Sequence, residues 1–253
     1  MANRRIAAAA ESGLYLYGIS KPSGTKAGKV AAASIDGIHP VQSLRCGDYL
    51  CWVSAVDGKA FSDAIHGNME NLEWLALHGV RHQQAVAEIF SGHAIVPARF
   101  GTVFSGEPAL LKNVQARKRG LEKVFTKISG AEEWGVKVFA EQAPAAQAPQ
   151  QVRSGKDYLQ LKSAKLKKGP ERDTSGLPEF AAALEKIALD SAPSGKVSGT
   201  QPSLLWQATF LVPRSRRKRW DEALQVYVKK WSGKRRIEVN GPWPPYSFVA
   251  DAE

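Results

Sequence analysis

Trp134-Gly-Val-Lys-Val-Phe-Ala-Glu-Gln-Ala-Pro-Ala-Ala-Gln-Ala-Pro-Gln-Gln151 is the stretch on which the reading of the fold turns. Its opening residues, Trp134 to Phe139, alternate clearly enough to be a half-buried strand. From Glu141 to Gln151 there are two prolines and no large apolar residue, so this part has nothing to bury in a core and reads as an exposed, partly extended linker. A strand running into such a linker predicts two domains: an N-terminal α+β domain over 1–141, a Pro/Ala/Gln linker over 142–152, and a C-terminal α+β domain over 153–253.

Upstream, Leu14-Tyr-Leu-Tyr-Gly-Ile19 and Asp48-Tyr-Leu-Cys-Trp-Val-Ser-Ala-Val56 have the β-branched and aromatic composition of buried strands, with a further strand expected at 40–44. Apolar residues at Leu72, Leu75, Ala76, Val86, Ile89 and Phe90 recur at three- and four-residue steps and predict a helix over 68–90 with Asn68 as N-cap. Ala94-Ile-Val-Pro97 reads as a short strand, with Pro97 placing its end or edge there. A second helix is expected over 107–128, with Pro108 in its first turn.

Downstream, a basic helix is expected at 156–168, another at 178–190, and a flexible connection at 191–201. The last fifty residues read strand (204–212), helix (215–231) and strand (236–240), an α+β unit. Residues 1–11 read as a frayed arm.

Composition bounds the function. The chain has 253 residues, of which 43% are hydrophobic and 23% charged, enough to bury a sizeable core. No apolar run approaches the roughly 20 residues that span a bilayer, so no membrane partner is expected. Cys46 and Cys51 are too few and too close for a disulfide framework, which points to a reducing, cytosolic setting. The formal charge of +11 is uneven: residues 1–141 hold 16 Lys and Arg against 13 Asp and Glu, whereas residues 142–253 hold 19 against 11. Such a field can attract nucleic acid, an acidic protein or an anionic surface, or simply maintain solubility.

The motifs that carry chemistry are incomplete. Ser23-Gly-Thr-Lys-Ala-Gly-Lys-Val30 lacks the first glycine and the final hydroxyl of a phosphate-binding loop. His78 and His82 are four apart on one helix, but two ligands are too few for zinc, and they read as structural or surface residues. No Gly-x-Ser-x-Gly and no cysteine in a catalytic setting occurs, and Glu132-Glu133 needs no catalytic duty. Catalytic, cofactor and metal residues are therefore expected to be absent. Arg214-Ser-Arg-Arg-Lys-Arg-Trp220 suggests a basic α+β nucleic-acid-binding protein as the alternative reading, although the signature of an RNA-recognition sheet is missing. Gly241-Pro-Trp-Pro-Pro-Tyr-Ser-Phe248 has three prolines, so its ordered role must come from the rings of Trp243, Tyr246 and Phe248. It reads as a latch on the second domain ending in a strand at 247–249, or as a docking segment for a partner.

Taken in order, Tyr15-Leu-Tyr-Gly18, Leu72-Glu-Trp-Leu75 with His78 and His82, Val96-Pro-Ala-Arg-Phe-Gly-Thr-Val-Phe104, Glu133-Trp-Gly-Val-Lys-Val138, Tyr158-Leu159, Leu211-Val-Pro213 and the Gly241–Val249 segment resemble the GvpL/GvpF gas vesicle family over nearly the whole chain. Two departures stand out: Ala98 stands where the family pattern often has a larger apolar residue, and the loop from Lys21 to Gly37 looks like an insertion. The resemblance implies a two-domain α+β protein whose second domain is ferredoxin-like with additional helices. It implies a non-enzymatic assembly or accessory role, with no small-molecule substrate, in the cytoplasm with gas vesicles. The implied partners are the small, very hydrophobic vesicle wall protein and other gas vesicle accessory proteins. Trp243, Tyr246 and Phe248 are the candidate partner interface, and Arg99, Phe100, Gly101 and Thr102 are a structural motif.

Overall fold

The computed structural model describes residues 12–22, 30–57, 61, 63–64, 67–68, 70–141, 173–193 and 203–250. The chain divides into two compact units, one of residues 1–133 and 242–253 and the other of residues 134–241.

In the first unit, β1 (Ser12–Ser20), β2 (Gln42–Cys46), β3 (Tyr49–Asp57) and β4 (Ile95–Pro97) form a sheet in the order β2-β3-β1-β4, and β5 (Val103–Phe104) also pairs with β1. All these pairings are antiparallel. A strand flanked on both edges and covered on both faces has no solvent side, which is why Leu14, Tyr15, Leu16, Tyr17 and Ile19 are all buried rather than alternating. Gly18 sits where the register with β3 shifts, and a Cβ there would stand 2.8 Å from the Val96 carbonyl oxygen. Only glycine admits that close approach.

The long helix α1 (Leu72–Gly92) starts one turn later than the pattern suggests. Asn71, not Asn68, is its N-cap, its side chain accepting the Trp74 N–H. The expected helix at 107–128 is two helices, α2 (Glu107–Ala116) and α3 (Lys118–Ile128), broken at Arg117, whose ψ is near 0°. Tyr15, Tyr17, Trp52, Val86, Ile89 and Ile95 centre the core of this unit.

The second unit corrects the domain boundary. The strand expected to close the first domain, β6 (Ala131–Ala140), belongs to the second sheet. Among the described residues, with α4 (Leu177–Glu185), β7 (Asp190–Pro193), β8 (Leu204–Pro213), α5 (Arg217–Lys230) and β9 (Arg235–Trp243) it runs β-α-β-β-α-β, in sheet order β7-β8-β6-β9. That is the split arrangement of ferredoxin-like domains. The proline-rich residues 142–152 therefore lie, in sequence, inside this unit between β6 and α4; they and the helix expected at 156–168 are outside the described residues. The start of the connection expected at 191–201 is strand, since Asp190–Pro193 pairs with β8.

The core of the second unit is aromatic. Phe180 lies 4.8 Å from Tyr227 and 5.1 Å from Trp231, and Phe210 lies 5.1 Å from Trp220, ring centre to ring centre. Arg235 is buried with its guanidinium donating to the carbonyls of Asp173 and Ser175, both at 2.8 Å, and stacked on Trp231. A buried cation is tolerable only with such partners.

Candidate functional site

The Pro-Trp-Pro-Pro tail belongs to the first unit, which corrects the expectation of a latch on the second domain. Residues Tyr246–Phe248 form a 3₁₀ turn instead of a strand. With prolines at 244 and 245 the segment lacks the N–H groups for a ladder, so side chains hold it. The Glu133 carboxylate accepts from the Ser247 N–H and hydroxyl, both at 2.8 Å. Burial pushes this carboxyl up from the ordinary range, opposed by the two Ser247 bonds. Phe248 is buried, with the Lys127 ammonium 5.4 Å from its ring centre.

Tyr246 meets His82, the buried histidine of α1. The Tyr15 hydroxyl accepts the Gly101 N–H at 3.2 Å and is hydrogen-bonded to His82 Nδ1 at 2.8 Å. His82 Nε2 faces the Tyr246 hydroxyl at 3.3 Å. Burial pulls the His82 pKa down to about 4, a hydrogen bond to Ala98 opposing it. The ring is neutral at pH 7 and joins β1, α1 and the tail. His78, four residues earlier, bonds the Trp74 carbonyl and stacks on the Trp74 ring. Among the described residues no cluster of His, Cys, Asp and Glu could hold a metal ion.

The Arg99-Phe-Gly-Thr motif is a turn tied to the same network. Thr102 donates its hydroxyl and its N–H to the Arg99 carbonyl, Gly101 has φ 83°, and the Leu16 N–H donates to the Thr102 carbonyl. Phe100 packs edge-on to His82 at 6.0 Å. The Arg99 side chain is exposed and lines a cavity of about 260 Å³ with Asn113 and Arg117.

Tail and helix together make a groove of about 600 Å³. Its walls are Leu75, Ala76, Gly79 and Val80 of α1 against Trp243 and Tyr246. Of the three tail rings, Tyr246 and Phe248 are thus packed into the unit, whereas Trp243 is 47% exposed. The first half of α1 is unusual for a soluble helix, with Leu72, Leu77 and Val80 each more than half exposed. Sequence reading passed over Val80 and Gly79, and it weighed Glu133 only as a carboxylate without catalytic duty and as part of a family motif. The available signal was the surplus of large apolar residues between 72 and 80, more than one buried stripe can use.

The family model described as gas vesicle synthesis protein GvpL/GvpF matches residues 13–250. Gas vesicle protein L of a Streptomyces strain is 26% identical, with 94% of this chain and 93% of that protein covered. Gas vesicle protein F of Haloferax mediterranei is 21% identical over 93% of this chain and 92% of its own length. Among solved structures, the crystal structure of GvpF from Anabaena is similar with a TM-score of 0.66 at 21% identity, covering 94% of this chain and 96% of that one. The GvpF structure from Microcystis aeruginosa gives 0.62 at 20% identity, covering 94% and 98%.

Proposed function

We propose, because this chain belongs to the GvpL/GvpF family of gas vesicle synthesis proteins, that it serves gas vesicle formation in the cytoplasm by binding other proteins of the assembly, without catalysis, and that the α1–Trp243 groove takes the hydrophobic wall protein. The observation that carries this reading is the exposed apolar face: Leu72, Val80 and Trp243 stand in water on one unit, beside a groove of about 600 Å³. Keeping such a face exposed works against solubility unless something covers it. Ala76 and Gly79 carry little or no side chain, so an incoming segment can approach the helix backbone closely.

Trp243 supplies the magnitude. Aromatic side chains bury roughly 150–250 Å² each, so with 47% exposure about 100 Å² of this ring is left to be covered. At about 25 cal/mol per Å² that is roughly 2.5 kcal/mol, a ceiling of about 70-fold in affinity. Trp243→Ala combined with Val80→Asp should reduce capture of co-expressed wall protein by at least about tenfold while the melting temperature moves only a few degrees. Tyr246 is left intact because it is bonded into the core. Undiminished capture by the folded double variant removes the groove from the interface. The cationic excess of residues 142–253 steers encounter or maintains solubility.

A further inference from the structure

Between Arg214 and Arg236 there are ten lysines and arginines and two carboxylates, while the rest of residues 142–253 holds nine of each sign. The whole basic excess of that half therefore lies on α5 and the segments beside it. Part of it serves the fold: Arg216 donates to the Ile187 carbonyl, Arg217 stacks on Trp134 at 3.8 Å, Arg235 is buried and Arg236 pairs with Glu238. Lys218, Arg219, Lys229 and Lys230 are exposed. The helix opens on Arg217-Lys-Arg219, with no acidic residue in its first turn and no side-chain cap. Arg217 is paired with Asp221 at 2.9 Å, so Lys218 and Arg219 are the cations left disfavoured at that positively polarised end, and an acidic partner relieves the repulsion.

An open groove of about 750 Å³ along α5 shows what kind of partner fits. Its lining runs from Arg217 and Lys218 through Asp221 and Glu222 to Val226, which is 61% exposed, and ends at Lys229. These positions recur every three or four residues, so they form one stripe of alternating character, positive, negative, apolar, positive. Lys218 and Lys229 are about 16 Å apart at the helical rise.

The two central carboxylates argue against a nucleic-acid backbone, which would bring phosphates past Asp221 and Glu222. A second copy of α5 is disfavoured too, because in either direction its end cations would meet Lys218 and Lys229. We infer that this face of α5 docks an amphipathic helix of a different protein, one with acidic residues about three turns apart and a basic and an apolar residue between them. This surface lies within the second unit and does not depend on the α1–Trp243 groove being the wall-protein site.

A photoreactive amino acid placed at Val226 of the full-length protein, in cells forming gas vesicles, tests the inference. The expected adduct is a peptide of another protein with that charge pattern. Its yield should exceed that from the same probe at exposed Glu122 and fall about tenfold in Lys218→Glu/Lys229→Glu, consistent with loss and reversal of two exposed charge pairs. Reversing the partner's two acidic clusters should restore it. The inference is overturned by adducts to nucleic acid, to lipid or to a second copy of the chain, by a peptide lacking the pattern, by a yield no higher than at Glu122, or by indifference to the charge reversal in a variant with unchanged melting temperature.

Discussion

Lowering the pH from 7 to 5 should cost the first unit about 2 kcal/mol through His82 alone. An ordinary histidine titrates at 6.5, whereas burial holds His82 at about 4. Between those values the unfolded chain binds a proton that the folded one refuses, so stability falls as the pH drops from about 6.5 towards 4. The full loss is roughly 3 kcal/mol, and about two thirds of it has accrued at pH 5. Tyr15, Tyr17 and Tyr246 around the ring are pushed up by burial and stay neutral throughout. Glu133 acts in the opposite sense: its raised pKa means the folded state holds a proton more tightly, so acid relieves a penalty there. A comparison with His82→Gln, which keeps an acceptor and a donor, isolates the histidine. Buried Cys46 and Cys51 both lie in this unit, so their labelling by a thiol reagent active at pH 5, across a urea series, reports its unfolding alone. The parent should lose about 2 kcal/mol more than the variant between the two pH values. Equal losses would show that His82 is not held neutral, and the account of the tail network would fail with it.

Gly18→Ala should destabilise the first unit by about 2 kcal/mol in urea unfolding: the new methyl meets the Val96 carbonyl at 2.8 Å, and β4 cannot retreat while it pairs with β1. Arg235→Lys keeps the charge but loses the planar fork that reaches two carbonyls at once. It should lower second-unit stability by about 2 kcal/mol, visible as a shift of the urea midpoint, with the first-unit thiols unaffected at low urea.

Strands with purely local signals were legible in the sequence. β1 and β3 lie where Leu14–Ile19 and Asp48–Val56 place them, because aromatic and β-branched runs between turns admit few other structures. The division into units was not legible in the same way. A proline-rich stretch without large apolar residues marks chain that cannot enter a core, but such chain also occurs inside a domain, between a strand and the helix that follows it. The allegiance of Trp134–Phe139 is decided by its position in the order β7-β8-β6-β9, a pairing with residues far along the chain that no local pattern encodes. The break at Arg117 was hidden for a related reason: both helices bury the same apolar spacing, and a single residue with ψ near 0° redirects the axis without disturbing it.

The groove was half legible, and the reason bears on how it works. An excess of leucine and valine between 72 and 80 announces an exposed apolar face, yet the opposite wall comes from residues more than 160 positions away. That wall starts on the last residue of β9, Trp243, and prolines at 244 and 245 leave it no ladder beyond. It is positioned by Tyr246 on His82 and Ser247 on Glu133, two polar contacts made to buried groups. Burying a donor or acceptor without a partner is expensive, and the docked tail meets the polar groups it covers: Ser247 donates to the Glu133 carboxylate and the Tyr246 hydroxyl faces His82 Nε2. These contacts keep Trp243 beside α1, and if the groove takes a partner as proposed, walls already in place reduce the ordering entropy that binding must overcome.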